Sequence, residues 1–259
     1  RARAAGFVGV PVLVGGEAFA DGLTGGTFAG AARRAPLLVT GRRELSPSPA
    51  EWIQRNGVVT LTIVGGPVAV SPVAACQLTA GDTRAFRCVE EELARQGYNT
   101  GVPEGVVDHQ TVWMTYAFQK VAGLPVTGEF GEREWQVMLL DPRLAVRRPD
   151  LGPDHIEIDL ARQLILVVRA GQVRHALHTS TGKPSTPTVR GAFTVYEKRN
   201  FRQSWNAMYR PVFFHRGYAI HGYPVIPLYP ASHGCARTYD GDMDFLWPML
   251  WIGERVATF

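Results

Sequence analysis

The spacing of apolar residues changes twice along this chain, and those changes limit what it can fold into. Between residues 7 and 72 the runs are continuously apolar: "VGVPVLV", "PLLVT" and "VVTLTIVGG". Such runs suit parallel strands buried on both faces. "EAFADGLTGGTFAGAARR" and "SPAEWIQRNG" lie between them and read as helices, so this region is expected to be a small α/β unit of βαβαβ order. Ser48 and Pro49 supply a helix start and Gly57 a stop. From 76 to 142 the spacing turns helical. Asp82 can cap a helix with Phe86, Val89 and Leu93 on one face, ending at Gly97. A second helix is predicted from Asp108 to Val121 with Gly123 after it, and a third from Gly131 with Trp135 and Leu139. From His155 onward short alternating runs take over, in "HIEIDL", "QLILVVR", "GAFTVYEK", "PVFFHRGYAIHG" and "RVATF". A last helix is predicted near Asp240 and Asp242, with Phe245, Leu246 and Met249 inward.

The chain thus reads as multidomain: a small α/β (βαβαβ) unit over residues 1–75, a three-helix middle domain over 76–145 and a mainly β, sandwich- or barrel-like domain over 146–259. A length of 259 residues with 46% hydrophobic content supports two or three small domains. The 28 glycines and 18 prolines punctuate many short elements. No run approaches the roughly 18–20 apolar residues that span a bilayer. The chain starts at Arg1 without a signal peptide and reads as a mature or trimmed piece, so targeting is not visible in it. The net charge of +4 mildly favours polyanionic surroundings, but no Lys/Arg run with interleaved aromatics points to nucleic acid. Gly15, Gly16, Gly65 and Gly66 follow strands without the spacing of a dinucleotide or phosphate loop, and tight turns explain them.

The chemistry concentrates in "AIHGYPVIPLYPASHGCAR". Cys235 could be a nucleophile, a metal ligand, a disulfide half or a buried small residue. A structural zinc wants four ligands, and His221, His233 and Cys235 supply three, with His215 as a distant fourth. In an oxidising compartment Cys76 and Cys88 form the natural local pair and leave Cys235 free; in a reducing one all three are thiols. The nucleophile reading fits best. A thiol is mostly protonated at neutral pH and needs a neighbouring imidazole, which His221 can provide. Gly234, just before the cysteine, lets backbone amides face a developing oxyanion.

That stretch, with "STGKPSTPTVRGAF" upstream, resembles the L,D-transpeptidase (YkuD) catalytic domain over residues 154–259. The sequence departs from the family pattern in a shorter loop between His221 and Ser232, in a longer Thr-Pro to Gly gap and in Arg237 where Asn is commoner. "FRCVEEELARQGY" and "TVWMTYAFQKVAGLPVTGEFGEREWQVML" resemble the three-helix peptidoglycan-binding domain. "GGEAFADGLTGGTFAGAARRAPLLVTG" and "IVGGPVAVS" resemble a single cell-wall-binding repeat of type two.

The resemblance implies that Cys235 attacks the diaminoacyl–D-Ala bond of a tetrapeptide stem and that His221 takes its proton. His233 orients the loop, and the amides of His233, Gly234 and Cys235 form the oxyanion hole. Ser232, Arg237, Tyr223 and Thr186 are expected to meet substrate, and Arg237 either braces the loop or binds a stem carboxylate. The thioester then passes to an acceptor amine as a 3→3 cross-link. Neither metal nor organic cofactor is implied. The implied partners are stem peptides and glycan, anionic wall polymers and carbapenem inhibitors, in an extracytoplasmic wall setting. Two alternatives remain: a catalytically silent wall-binding protein, and an L,D-carboxypeptidase that transfers to water.

Overall fold

The computed structural model describes residues 10–16, 25–26, 29–30, 35–41, 47–56, 62–64, 87–99, 101–103, 105, 107–138, 140, 142–202 and 207–259. Gly57, Gly65, Gly66, Cys76, Asp82, Phe86 and Leu139 lie outside them. The described residues fall into two compact units, one drawn from residues 1–90, 103–106 and 130–139, the other from 91–102, 107–129 and 140–259.

In the first unit, β1 (Val12–Gly15), β2 (Leu37–Thr40) and β3 (Thr62–Val64) form a parallel sheet in the order β2-β1-β3. Val12, Leu13 and Val14 of the central strand are fully buried, as a continuous apolar run requires. Helix α1 (Pro47–Asn56) lies between β2 and β3 in the chain. The expected βαβαβ order includes residues outside those described. The same unit holds α4 (Glu132–Met138), whose Trp135 is buried edge-on against Phe130.

Helix α2 (Arg87–Arg95) buries Val89 and Leu93, and Gly97 follows it. Helix α3 (His109–Ala122) occupies nearly the span predicted from Asp108 to Val121. Asp108 accepts from the Thr111 amide at 2.9 Å while the Asp108 amide donates to Thr111 Oγ1 at 2.9 Å. This reciprocal cap stabilises the helix start by about 1 kcal/mol. Gly123 ends the helix in the left-handed region at φ 68°.

The rest of the second unit is two facing sheets. One has the order β6-β5-β4-β12-β7, with β4 His155–Asp159, β5 Leu164–Arg169, β6 Gln172–His178, β7 Gly191–Thr194 and β12 Arg255–Thr258. The other has the order β11-β10-β9-β8, with β8 Glu197–Lys198, β9 Tyr209–His215, β10 Tyr218–Gly222 and β11 Ala236–Thr238. Ile156, Ile165, Leu177, Val212, Phe214, Ile220, Ala236 and Val256 fill the space between them. Helix α5 (Asp240–Leu246) adds Met243 and Leu246 to that core. β4 and β5 are buried on both faces except at Arg169, and α3 packs on β6. The helical region and a mainly β domain are thus both present, as the change of periodicity implied. Among the described residues no helix is long and apolar enough to cross a membrane.

Candidate functional site

Strands β10 and β11 are parallel neighbours, with Ile220 opposite Ala236 and His221 opposite Arg237. Ile220 and Ala236 point into the core. Alternation then sends His221, Arg237 and Cys235 to the opposite face, outside the sandwich. Cys235 packs there beside Met208, Phe213 and Ala219. Cys235 and His221 are diagonal neighbours on one face, about 7–8 Å apart at the backbone. A slip of one residue between these strands would send the two to opposite faces.

The loop before Cys235 is held from inside and from one side. Ser232 Oγ donates to the Cys235 carbonyl at 2.6 Å and accepts from the Gly234 amide at 3.0 Å. The Ser232 amide donates to Thr181 O at 2.9 Å, and the Ser232 carbonyl accepts from the Lys183 amide at 3.0 Å and from Thr186 Oγ1 at 3.1 Å. Thr188 Oγ1 donates to Gly234 O at 2.7 Å. Gly234 sits at φ +118°, and a Cβ there would come within 2.3 Å of the Tyr218 ring. Both facts demand glycine. Below the loop, Thr179 Oγ1 and the Ser180 amide donate to Arg237 O at 2.7 and 2.9 Å.

His221 is buried, and its Nδ1 lies 2.9 Å from the Gly222 carbonyl. A carbonyl only accepts, so Nδ1 carries the proton and Nε2 keeps its lone pair. Burial, aided by the charges of Arg237 and Arg202, pushes the imidazole down to about 4 against the pull of the Gly222 carbonyl. Burial pushes the Cys235 thiol up, partly offset by the Ala219 amide and the Arg237 charge. At neutral pH both groups are therefore uncharged: a thiol and a basic imidazole of fixed tautomer. The thiol also lies 3.7 Å from the Gly217 carbonyl. Arg237 stacks on Tyr223, with its guanidinium carbon 4.3 Å from the ring centroid, and Tyr223 stands edge-on to His221 at 6.1 Å. Arg202 pairs with Asp240.

The sequence-predicted residues lie in and around this loop, several of them with hydrogen bonds of their own. His233 is exposed, with Nε2 3.5 Å from Lys183 Nζ. Ser232 and Thr186 hold the loop through hydrogen bonds of their own. The Gly234 amide, expected in an oxyanion hole, donates to Ser232 Oγ at 3.0 Å. Thr179, Ser180, Thr181 and Thr188 had no assigned role in the sequence, although a run of hydroxyl residues that proves buried is a signal for such bracing. The His215 ring lies tilted against Phe193 with centroids 4.6 Å apart, and among the described residues no group of three His, Cys, Asp or Glu could hold a metal ion. Cys88 is disulfide-bonded and Cys235 is a free thiol.

A family model for the L,D-transpeptidase catalytic domain (YkuD) matches residues 153–257, and one described as a putative peptidoglycan binding domain matches residues 86–138. Among solved structures, an L,D-transpeptidase from Xylanimonas cellulosilytica is 32% identical; the match covers 67% of this chain and 92% of that one, with a TM-score of 0.62. An L,D-transpeptidase from Stackebrandtia nassauensis is 22% identical over 67% of this chain and 89% of its own, with a TM-score of 0.41. One from Mycobacterium tuberculosis is 20% identical over 41% and 57%, with a TM-score of 0.38. No curated protein matches the chain in sequence.

Proposed function

The chain belongs to the L,D-transpeptidase family, and we propose that it cross-links peptidoglycan stem peptides through a thioester on Cys235. The observation that carries this reading is the placement of Cys235 and His221 on one face of β10 and β11, with Nδ1 tied to the Gly222 carbonyl. His221 Nε2 takes the thiol proton as Sγ attacks the carbonyl carbon between the diamino acid and D-Ala. Because thiol and imidazole start uncharged, proton transfer accompanies attack instead of preceding it. The amides of His233 and Cys235 face the oxyanion. The intermediate collapses as the imidazolium returns its proton to the departing D-Ala amine, which leaves a thioester on Sγ. An acceptor side-chain amine then attacks that thioester, gives up a proton to His221 and forms an amide. The proton returns to sulfur, and the 3→3 cross-link is released. Arg237 adds positive charge beside the thiolate as it forms, and its stacking on Tyr223 fixes where that charge sits.

On this reading, residues 76–145 bind wall glycan or peptide, residues 1–75 serve as a wall-binding repeat that meets anionic polymer, and a Cys76–Cys88 bridge staples the short helical segment. The protein works outside the cytoplasmic membrane. A carbapenem should acylate Cys235, adding its mass to the intact protein, and Cys235→Ala should show no adduct. A folded wild-type protein that stays unmodified would count against the proposal.

A further inference from the structure

Helix α3 and the residues before it do more than pack on the catalytic sheet: their side chains end on a buried carboxylate seven residues beyond Cys235. Asp242 is only 3% exposed. Its Oδ1 accepts from Asn99 Nδ2 at 2.8 Å and from Gln110 Nε2 at 3.1 Å. Its Oδ2 lies 3.0 Å from Thr238 Oγ1, which is also 2.9 Å from the carbonyl of His178. Gln110 Nε2 reaches the Asn99 carbonyl as well, at 2.8 Å. One residue past Thr238, the Tyr239 ring stacks on Trp113 of α3 with centroids 3.6 Å apart and planes 8° from parallel.

β11 needs such fixing. It is three residues long, so its ladder with β10 has few bonds with which to hold register. Thr179 and Ser180 fix it at Arg237, in the middle. The Asp242 cluster fixes it at Thr238, its end. Cys235 sits immediately before the strand, so a shift of β11 along β10 moves the thiol relative to His221. A buried carboxylate without a cation is costly, and an apolar side chain there would pack at lower cost. What the carboxylate adds is direction: amide donors from Asn99 and Gln110 must converge on one of its oxygens, with the Thr238 hydroxyl beside the other.

We propose that Asp242 is a positioning residue for the Cys235 thiol, and that Asn99 and Gln110 make the helical segment a working part of the reaction centre. This rests on the functional reading above. It predicts that the helical segment cannot be uncoupled from catalysis even when the substrate needs no wall binding.

The test uses the full chain and a small carbapenem, which reports on chemistry without the wall. Limiting acylation rates and half-saturating concentrations are measured for wild type, Gln110→Ala, Asn99→Ala and Asp242→Asn, with melting temperatures alongside. The limiting rate should fall about tenfold for Asp242→Asn and about threefold or more for each of the other two, with half-saturation within about twofold. Gln110→Ala removes a single side chain, so it carries the test if Asp242→Asn does not fold. Limiting rates equal to wild type in folded Gln110→Ala and Asn99→Ala overturn the proposal, whatever happens to the melting temperatures. Iodoacetamide alkylation of Cys235 separates the two claims. If wild type resists the carbapenem, the functional reading fails and alkylation alone decides: rates altered about threefold or more in the variants support positioning, and identical rates refute it.

Discussion

Two of the buried histidines, His221 and His178, are both held neutral, and their rings are used in opposite ways. His178 is pushed down to about 3 by burial and by the neighbouring Lys120 charge, against backbone hydrogen bonds that favour its charged form. Lys120 Nζ donates to His178 Nδ1 at 2.6 Å and to Gln163 O at 3.0 Å, and burial pushes that amine down to about 7. His221 reverses the use of its ring: Nδ1 donates to Gly222 O, and Nε2 is left on the face that carries a thiol. A depressed pKa therefore identifies neither a base nor a catalytic site. What separates the two is which ring nitrogen keeps a lone pair and what lies in its reach.

Cys235→Ala should abolish acyl transfer altogether, and His221→Gln should cost about a thousandfold in acylation rate with little change in melting temperature. An equal loss on mutating His178 would erase the distinction. Gly234→Ala should follow, with about a hundredfold loss, because the substitution must relieve both a left-handed φ and a clash with Tyr218. The acylation rate should hold its plateau well below neutral pH and decline only as His221 protonates near pH 4; a decline centred near 6.5 would mean that burial does not govern this imidazole.

The smallest effect belongs to Lys120. Its folded pKa of about 7 lies below its ordinary value, so between pH 7 and about 10.4 the unfolded chain binds more protons. Stability should accordingly rise with pH through that window, and Lys120→Met should flatten the rise in a denaturant series while leaving acylation near wild type. Asp242, pushed up by burial to about 6, works the other way: it favours the folded state below its ordinary range and loses that contribution as pH rises through 6.

Much of this was legible in the sequence, and the rest was hidden for physical reasons. Helix α3 announced itself because Asp108 and Gly123 are local signals that act within one turn. The order His221 then Cys235 suggested a base and a thiol. The sequence could not supply the register of β10 against β11, which depends on residues 16 apart along the chain meeting as neighbours. Lys120 in "AFQKVAGL" carries no local sign of burial, and only tertiary packing places it against His178. Asp242 read as a helix start because its partners Asn99 and Gln110 lie over 130 residues away. The bond from Thr186 to Ser232 was hidden for the same reason: it spans 46 residues.

The most direct measurement is mass spectrometry of a tetrapeptide disaccharide after incubation with the protein, with Cys235→Ala alongside. The wild-type protein should release D-Ala and form a dimer joined between diamino acid side chains, both absent with Cys235→Ala. Unchanged stems in the presence of folded wild-type protein, or a tripeptide product without any dimer, would contradict it.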